Sequence, residues 1–179
     1  MPTVTKAANA HTTVTTGWTS PANAYATTGD DVYATAAPAK NATINGDFGF
    51  PAFTSSDIPA GSTVNSVTVT VEWGMTAAVT GGTLGVQLHN PAGTALGTET
   101  TQTTTTEVQA TQVVTSGITL TDLGTANVVV ARTRCSKGNT NTAMTGNLDF
   151  ISLTVDYSPA GRAQPTRRVL QAVNRAATY

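Results

Sequence analysis

Charge is what this chain has least of. Only 11% of its 179 residues are Asp, Glu, Lys or Arg, against about 25% in an ordinary soluble domain. A net charge of −1 removes the high charge that would keep a chain disordered. The single cysteine, Cys135, excludes an intrachain disulfide, so the fold must hold by packing. No eighteen apolar residues run together, so no helix is expected to span a membrane. Two histidines, His11 and His89, stand too far apart for a metal-ligand motif. The opening Met1-Pro2-Thr3-Val4-Thr5-Lys6 has no apolar run, which leads us to expect no signal peptide and synthesis in a cytoplasm.

What the chain has in abundance is threonine, roughly a fifth of all residues, several times ordinary usage. Threonine suits half-buried pleated strands, giving a branched stem to its neighbours and a hydroxyl to water. The hydrophobic fraction is 39%. Area scaling for this mass gives roughly 8,000 Å² exposed when folded against about 26,000 Å² for the open chain. One well-filled core, and hence one domain, is expected.

The clearest pattern follows the turn at Pro59 and Gly61. Val67, Val69, Val71 and Trp73 alternate with Thr68, Thr70 and Glu72, a period of two that puts one face in a core and the other in water. The final strand repeats it, with Ile151, Leu153, Val155 and Tyr157 against Ser152, Thr154 and Asp156. Leu84, Val86 and Leu88 form a third inward set. Further strands are expected at 12–15, 31–36, 107–114 and 126–131. Residues 97–106 read as a Thr-rich edge or loop, and 137–141 as a loop. Asn45-Gly46 predicts a two-residue hairpin turn between 42–44 and 47–50. Asn90-Pro91-Ala92-Gly93 predicts a type I turn. Eight to ten short strands without intervening helices give an all-β, antiparallel, jelly-roll-like sandwich over residues 12–158, preceded by a polar arm at 1–11.

After Tyr157 the pattern breaks at Pro159, Gly161 and Pro165, and residues 159–179 read as a basic arm. Thr166 to Ala176 predicts a short amphipathic helix with Val169, Ala172, Val173 and Ala176 on one face, too short to stand without a surface. The last twenty residues hold four arginines and no acid, while the body carries five basic against ten acidic residues. Such asymmetry points to a tail that docks on something negative. Arg162, Arg167, Arg168, Val169, Leu170, Val173 and Arg175 are the expected partner-binding residues. Four arginines are too few for the broad basic face that nucleic acid calls for.

Chemistry is sparse. Asp30-Asp31 offers carboxylate oxygens to a cation but lacks the spaced run of acids that a Ca²⁺ loop uses, so the pair reads as a strand cap. Glu72 has no second carboxylate fixed beside it by sequence, as a glycosidase would need. Gly-x-Ser-x-Gly is absent. His89 is expected to be exposed beside its turn. Cys135 lies between Arg134 and Lys137, which would lower its pKa if exposed; a buried, inert thiol is the expectation. No enzyme activity, cofactor or metal site is expected.

The Ile58-Pro59-Ala60-Gly61-Ser62-Thr63-Val64 opening, the early Trp18…Tyr25…Asp31-Val32-Tyr33 stretch and the closing Asp149-Phe150-Ile151…Val155-Asp156-Tyr157 strand resemble jelly-roll domains of tailed-bacteriophage virion proteins. The resemblance implies a non-enzymatic structural role, with capsid decoration placed ahead of a tail position. Its expected partners are the major capsid protein and further copies of the chain as a homotrimer, in a virion assembled in the host cytoplasm. Similar openings occur in carbohydrate-binding jelly rolls. The alternative is therefore a tail- or fibre-associated carbohydrate-binding module stacking sugars on Trp18, Tyr25 and Tyr33.

Overall fold

The computed structural model describes residues 1–14 and 17–161. Its strands are β1 (Thr3–Ala7), β2 (Ala10–Thr13), β3 (Ala34–Ala36), β4 (Thr43–Gly49), β5 (Thr63–Met75), β6 (Thr83–His89), β7 (Thr100–Gln102), β8 (Val108–Val114), β9 (Val130–Ser136) and β10 (Gly146–Ser158). One helical turn, α1 (Leu120–Leu123), is closed by a capping box between Thr119 and Asp122, and Pro21–Ala24 make a 3-10 turn.

Every pairing is antiparallel. One sheet runs β1-β10-β5-β8, with β3 also on β10, and the other runs β2-β4-β9-β6-β7. The chain crosses between the sheets at every step except β6 to β7, which are neighbours in one sheet. The order β1-β10-β5-β8 facing β4-β9-β6-β7 is that of a jelly roll, the expected fold. The two thirteen-residue strands, β5 and β10, lie side by side at the centre of their sheet. Val67, Val69, Val71 and Trp73, with Ile151, Leu153, Val155 and Tyr157 beside them on β10, face Leu84, Leu88 and Phe48 of the other sheet, and all are buried. Each large side chain so buried contributes about 1.5–3 kcal/mol against exposure.

The turn at residues 90–93 forms as expected, with Gly93 N–H donating to Asn90 O at 2.8 Å and Gly93 at φ 76°. Asn45-Gly46 does not turn. Both lie inside β4, where Asn45 pairs with Arg134 and Gly46 with Thr133. The glycine is required there by crowding, because a Cβ would strike His11 Nε2 and stand 2.8 Å from Trp18 Cδ1.

The first residues, read as an arm, belong to the body. Thr3–Ala7 pair with β10 and Ala10–Thr13 with β4. Lys6 ties that edge down through Asp57 at 2.7 Å and Ala52 O at 2.8 Å. The strand expected at 126–131 is displaced to Val130–Ser136. Its outward residues are Arg132 and Arg134, bound bidentately by Asp47 and Glu99, while Ala131, Thr133 and Cys135 point inward. The strand expected from Asp31 starts only at Ala34, since Asp31 sits at φ 61°. His89 is buried rather than exposed, its Nδ1 3.0 Å from Gly93 O. Residues 166–176, expected to form a helix, lie outside the described residues.

Candidate functional site

The partner-binding residues named from the sequence, Arg162, Arg167, Arg168, Val169, Leu170, Val173 and Arg175, all lie outside the described residues. The aromatic trio can be placed. Trp18 is only 5% exposed, set edge-on to Phe48 with ring centroids 6.3 Å apart. Tyr25 meets the same ring at 6.4 Å, and His11 packs on it at 4.9 Å. These rings plug one flank of the core. Trp18 therefore offers no stacking face, a correction to its expected role. Tyr33 is apart from them and half-buried.

Tyr33 leads instead to a group of acids that sequence reasoning did not assemble. Its hydroxyl lies 2.9 Å from Glu107 Oε2 and 3.2 Å from Asp31 Oδ1, so its one proton is shared between two carboxylates. Those contacts, Glu107 foremost, with burial added, push its pKa well above the ordinary tyrosine range. Oxygens of Asp31, Glu107 and Asp149 converge to within 4.8 Å of one another.

Three separate devices bring these acids together. Asp149 is the extra residue of a β-bulge, since Leu148 pairs with Trp73 and Phe150 with Glu72; bulges re-aim side chains in this way. Glu107 precedes β8, its backbone crossing over Gly74, where a Cβ would stand 3.3 Å from Glu107 Cα. Asp31 is carried by a loop in which Asp30 Oδ1 accepts Val32 N–H and Asp30 N–H donates to Asp149 Oδ1 at 3.2 Å.

Glu72 closes the group from β5. A Cβ on Gly29 would strike Asp149 Oδ2 and come within 2.6 Å of Glu72 Oε2, so these two oxygens flank the same bare glycine. Burial, then the charges of Glu107, Asp149 and Asp31, raise the Glu72 pKa. The sequence had left Glu72 without a neighbouring acid; the cross-strand register and the bulge supply one.

Cys135 is buried, and its thiol is pushed up to about 12 by burial, against smaller opposing effects of a Gly146 backbone hydrogen bond and Arg134. Arg134 turns away to Glu99. Among the described residues no helix is long and apolar enough to cross a membrane.

No protein-family model matches the chain, and no curated protein matches it in sequence. Among solved structures it is similar to one described as CBM4 structure and function, at 14% identity and a TM-score of 0.44 over 87% of this chain and 94% of that one. It is also similar to a chain of infectious bursal disease virus Gt strain, at 14% identity and a TM-score of 0.37, covering 90% of this chain and 33% of that one. A chain of the T13 particle of the same virus gives 16% identity and a TM-score of 0.27, covering 73% and 32%.

Proposed function

We propose that this chain is a non-enzymatic structural protein of a tailed-phage virion, a decoration protein that binds the head surface and neighbouring copies of itself. The observation that carries this reading is the outer edge of β8. Exposed sheet edges are ordinarily guarded by lysine, proline, a bulge or extreme shortness, because bare backbone groups recruit other strands. β8 has seven residues, no charge and no proline, and its register on β5 runs from Trp73↔Val108 to Val67↔Val114 without a shift. Val108 and Val113 stand exposed, Val113 at 56%. Among the described residues no backbone–backbone bond reaches its free edge; Thr100 Oγ1 alone caps Thr111 O.

An edge of this kind is suited to a fixed neighbour in a lattice, and the low charge of the body is suited to close packing of copies. The basic segment from Arg162 to Arg175 supplies the second attachment, toward an acidic shell. An interface of about 1,600 Å² in total is enough for specific attachment. The function is then cementing: added buried area ties adjacent capsid subunits together.

Pelleting with undecorated phage heads tests the reading. The wild-type chain saturates the heads at a fixed number per particle, and Val113→Lys lowers that affinity at least about tenfold by placing a charge in the contact. Heads that neither retain the wild-type chain nor distinguish it from Val113→Lys overturn the reading. The carbohydrate-binding alternative now rests on Tyr25 and Tyr33, with Trp18 buried. Specific glycan binding lost on Tyr33→Ala, with the fold intact, would put it first.

A further inference from the structure

We propose that Asp31, Glu107 and Asp149, with Glu72 beside them, form a binding site for one Ca²⁺-sized hard cation that clips three chain segments together.

Four carboxylates meet at this end of the molecule, and among the described residues no lysine or arginine pairs with any of them. The ion pairs present are elsewhere, at Lys6–Asp57, Arg132–Asp47 and Arg134–Glu99. Burying an acid normally demands hydrogen bonds or a counter-charge. Asp149 is 98% buried. Its Oδ1 receives one backbone N–H, from Asp30, and among the described residues its Oδ2 receives none. That oxygen is one of the two that face the bare glycine at 29. Glu107 is only partly buried, but Oε2 is met by Tyr33, while Oε1 is enclosed and among the described residues has no partner. A carboxylate held this deep without a counter-charge, beside an enclosed acid oxygen that lacks a partner, is the pattern a cation completes.

The donor set, at a compatible spacing, sets the class of ion. Oxygens across a Ca²⁺ shell stand at most about 4.6–5.2 Å apart, twice the bond length, whereas Mg²⁺ draws them to within about 4.2 Å. The three acids offer oxygens within 4.8 Å of one another, inside the span of a Ca²⁺ shell. Oxygen-only donors likewise suit a hard cation over zinc or copper. Three protein segments converge: the loop bearing Asp31, the approach to β8 bearing Glu107 and the β10 bulge bearing Asp149. The remaining positions of a six- to eight-fold shell would fall to Glu72, backbone carbonyls and water.

The test uses the full chain, stripped with EDTA and desalted. Calorimetric titration with CaCl₂ alone gives one site per chain, with a Kd in the range of about 10⁻⁶–10⁻³ M. At a hundredfold excess over Kd the melting temperature rises by about 5–10 °C, and MgCl₂ at equal concentration does less. Asp149→Asn and Glu107→Gln each lose the Ca²⁺ response, while Asp156→Asn, on the same strand but outside the group, keeps it. Should Asp149→Asn fail to fold, Glu107→Gln, at a less buried position, decides alone. Equal melting temperatures in EDTA and Ca²⁺ for the wild type, or a wild-type response in Glu107→Gln, overturn the proposal.

Discussion

The side-chain oxygen of Gln112 accepts the backbone N–H of Leu88 at 2.7 Å, joining β8 in one sheet to β6 in the other. The amide of the same side chain donates to Leu96 O and Thr98 O, each at 2.8 Å. A buried polar residue thus stands in the wall of a mostly apolar interior with all three bonds made. It fixes how the two sheets sit and pins the segment that runs from β6 to β7.

Replacing Gln112 with leucine keeps the volume and strips all three partners of their bonds. Orphaned buried groups cost about 1–3 kcal/mol each before water reaches them. Urea unfolding of Gln112→Leu is expected to show a loss of about 2–4 kcal/mol with an unchanged m-value. A loss below about 0.5 kcal/mol would mean that the bridge contributes nothing that surface substitution does not.

Gly46 carries a second prediction, because sequence and structure give it different reasons to be glycine. A hairpin glycine is needed for its backbone; Gly46 is needed for space, with His11 and Trp18 packed over it. Gly46→Ala is therefore expected to destabilise by about 1–3 kcal/mol through overpacking, and shrinking the obstacle with His11→Ala should return part of that loss. Additive effects in the double-mutant cycle would contradict the steric account.

The same histidine sets a pH dependence. Burial lowers the His11 pKa below its ordinary 6.5, against a smaller opposite pull from Asp47. A base whose folded pKa is depressed stabilises the fold while neutral. That contribution is complete above about pH 6.5 and shrinks as pH falls through that value toward the folded pKa. Asp57, held below the usual carboxylate range first by Lys6 and then by Thr54, adds a loss in the same direction at lower pH. The urea midpoint of the wild type should drop between about pH 7.5 and 5.5, and that of His11→Phe should drop less. Parallel profiles would remove His11 from the account.

Cys135 gives a chemical readout of the core. Its enclosed thiol, at about 12, holds almost no thiolate near neutrality, and thiolate is the reactive form. A disulfide reagent at mild alkaline pH is expected to leave the native protein unlabelled and to label it fully in denaturant. Rapid labelling of the native chain would show that β9 is not seated as described.

Besides β8, found within one residue of its expected 107–114, the strands that sequence makes legible are those whose alternation separates strongly apolar from polar residues: β5 at Val67–Trp73, β6 at Leu84–Leu88 and β10 at Ile151–Tyr157. β9 was misplaced because its inward face is Ala131, Thr133 and Cys135, weakly apolar, while a denser run of valines lies just before it. β1 was hidden by polar residues on an edge strand, where little burial is demanded. The acidic group was illegible for a different reason. Asp31, Glu72, Glu107 and Asp149 are far apart in the chain, and their meeting depends on a one-residue bulge at Asp149 that no local pattern announces.

Attachment of the chain to a phage head, with and without residues 162–179, tests the central claim most directly. β10 ends at Ser158, so the shortened chain retains every described strand and should keep the wild-type melting temperature. The account predicts that the full chain saturates undecorated heads and that the shortened chain is washed away. Equal occupancy by both forms, or none by either, would contradict it.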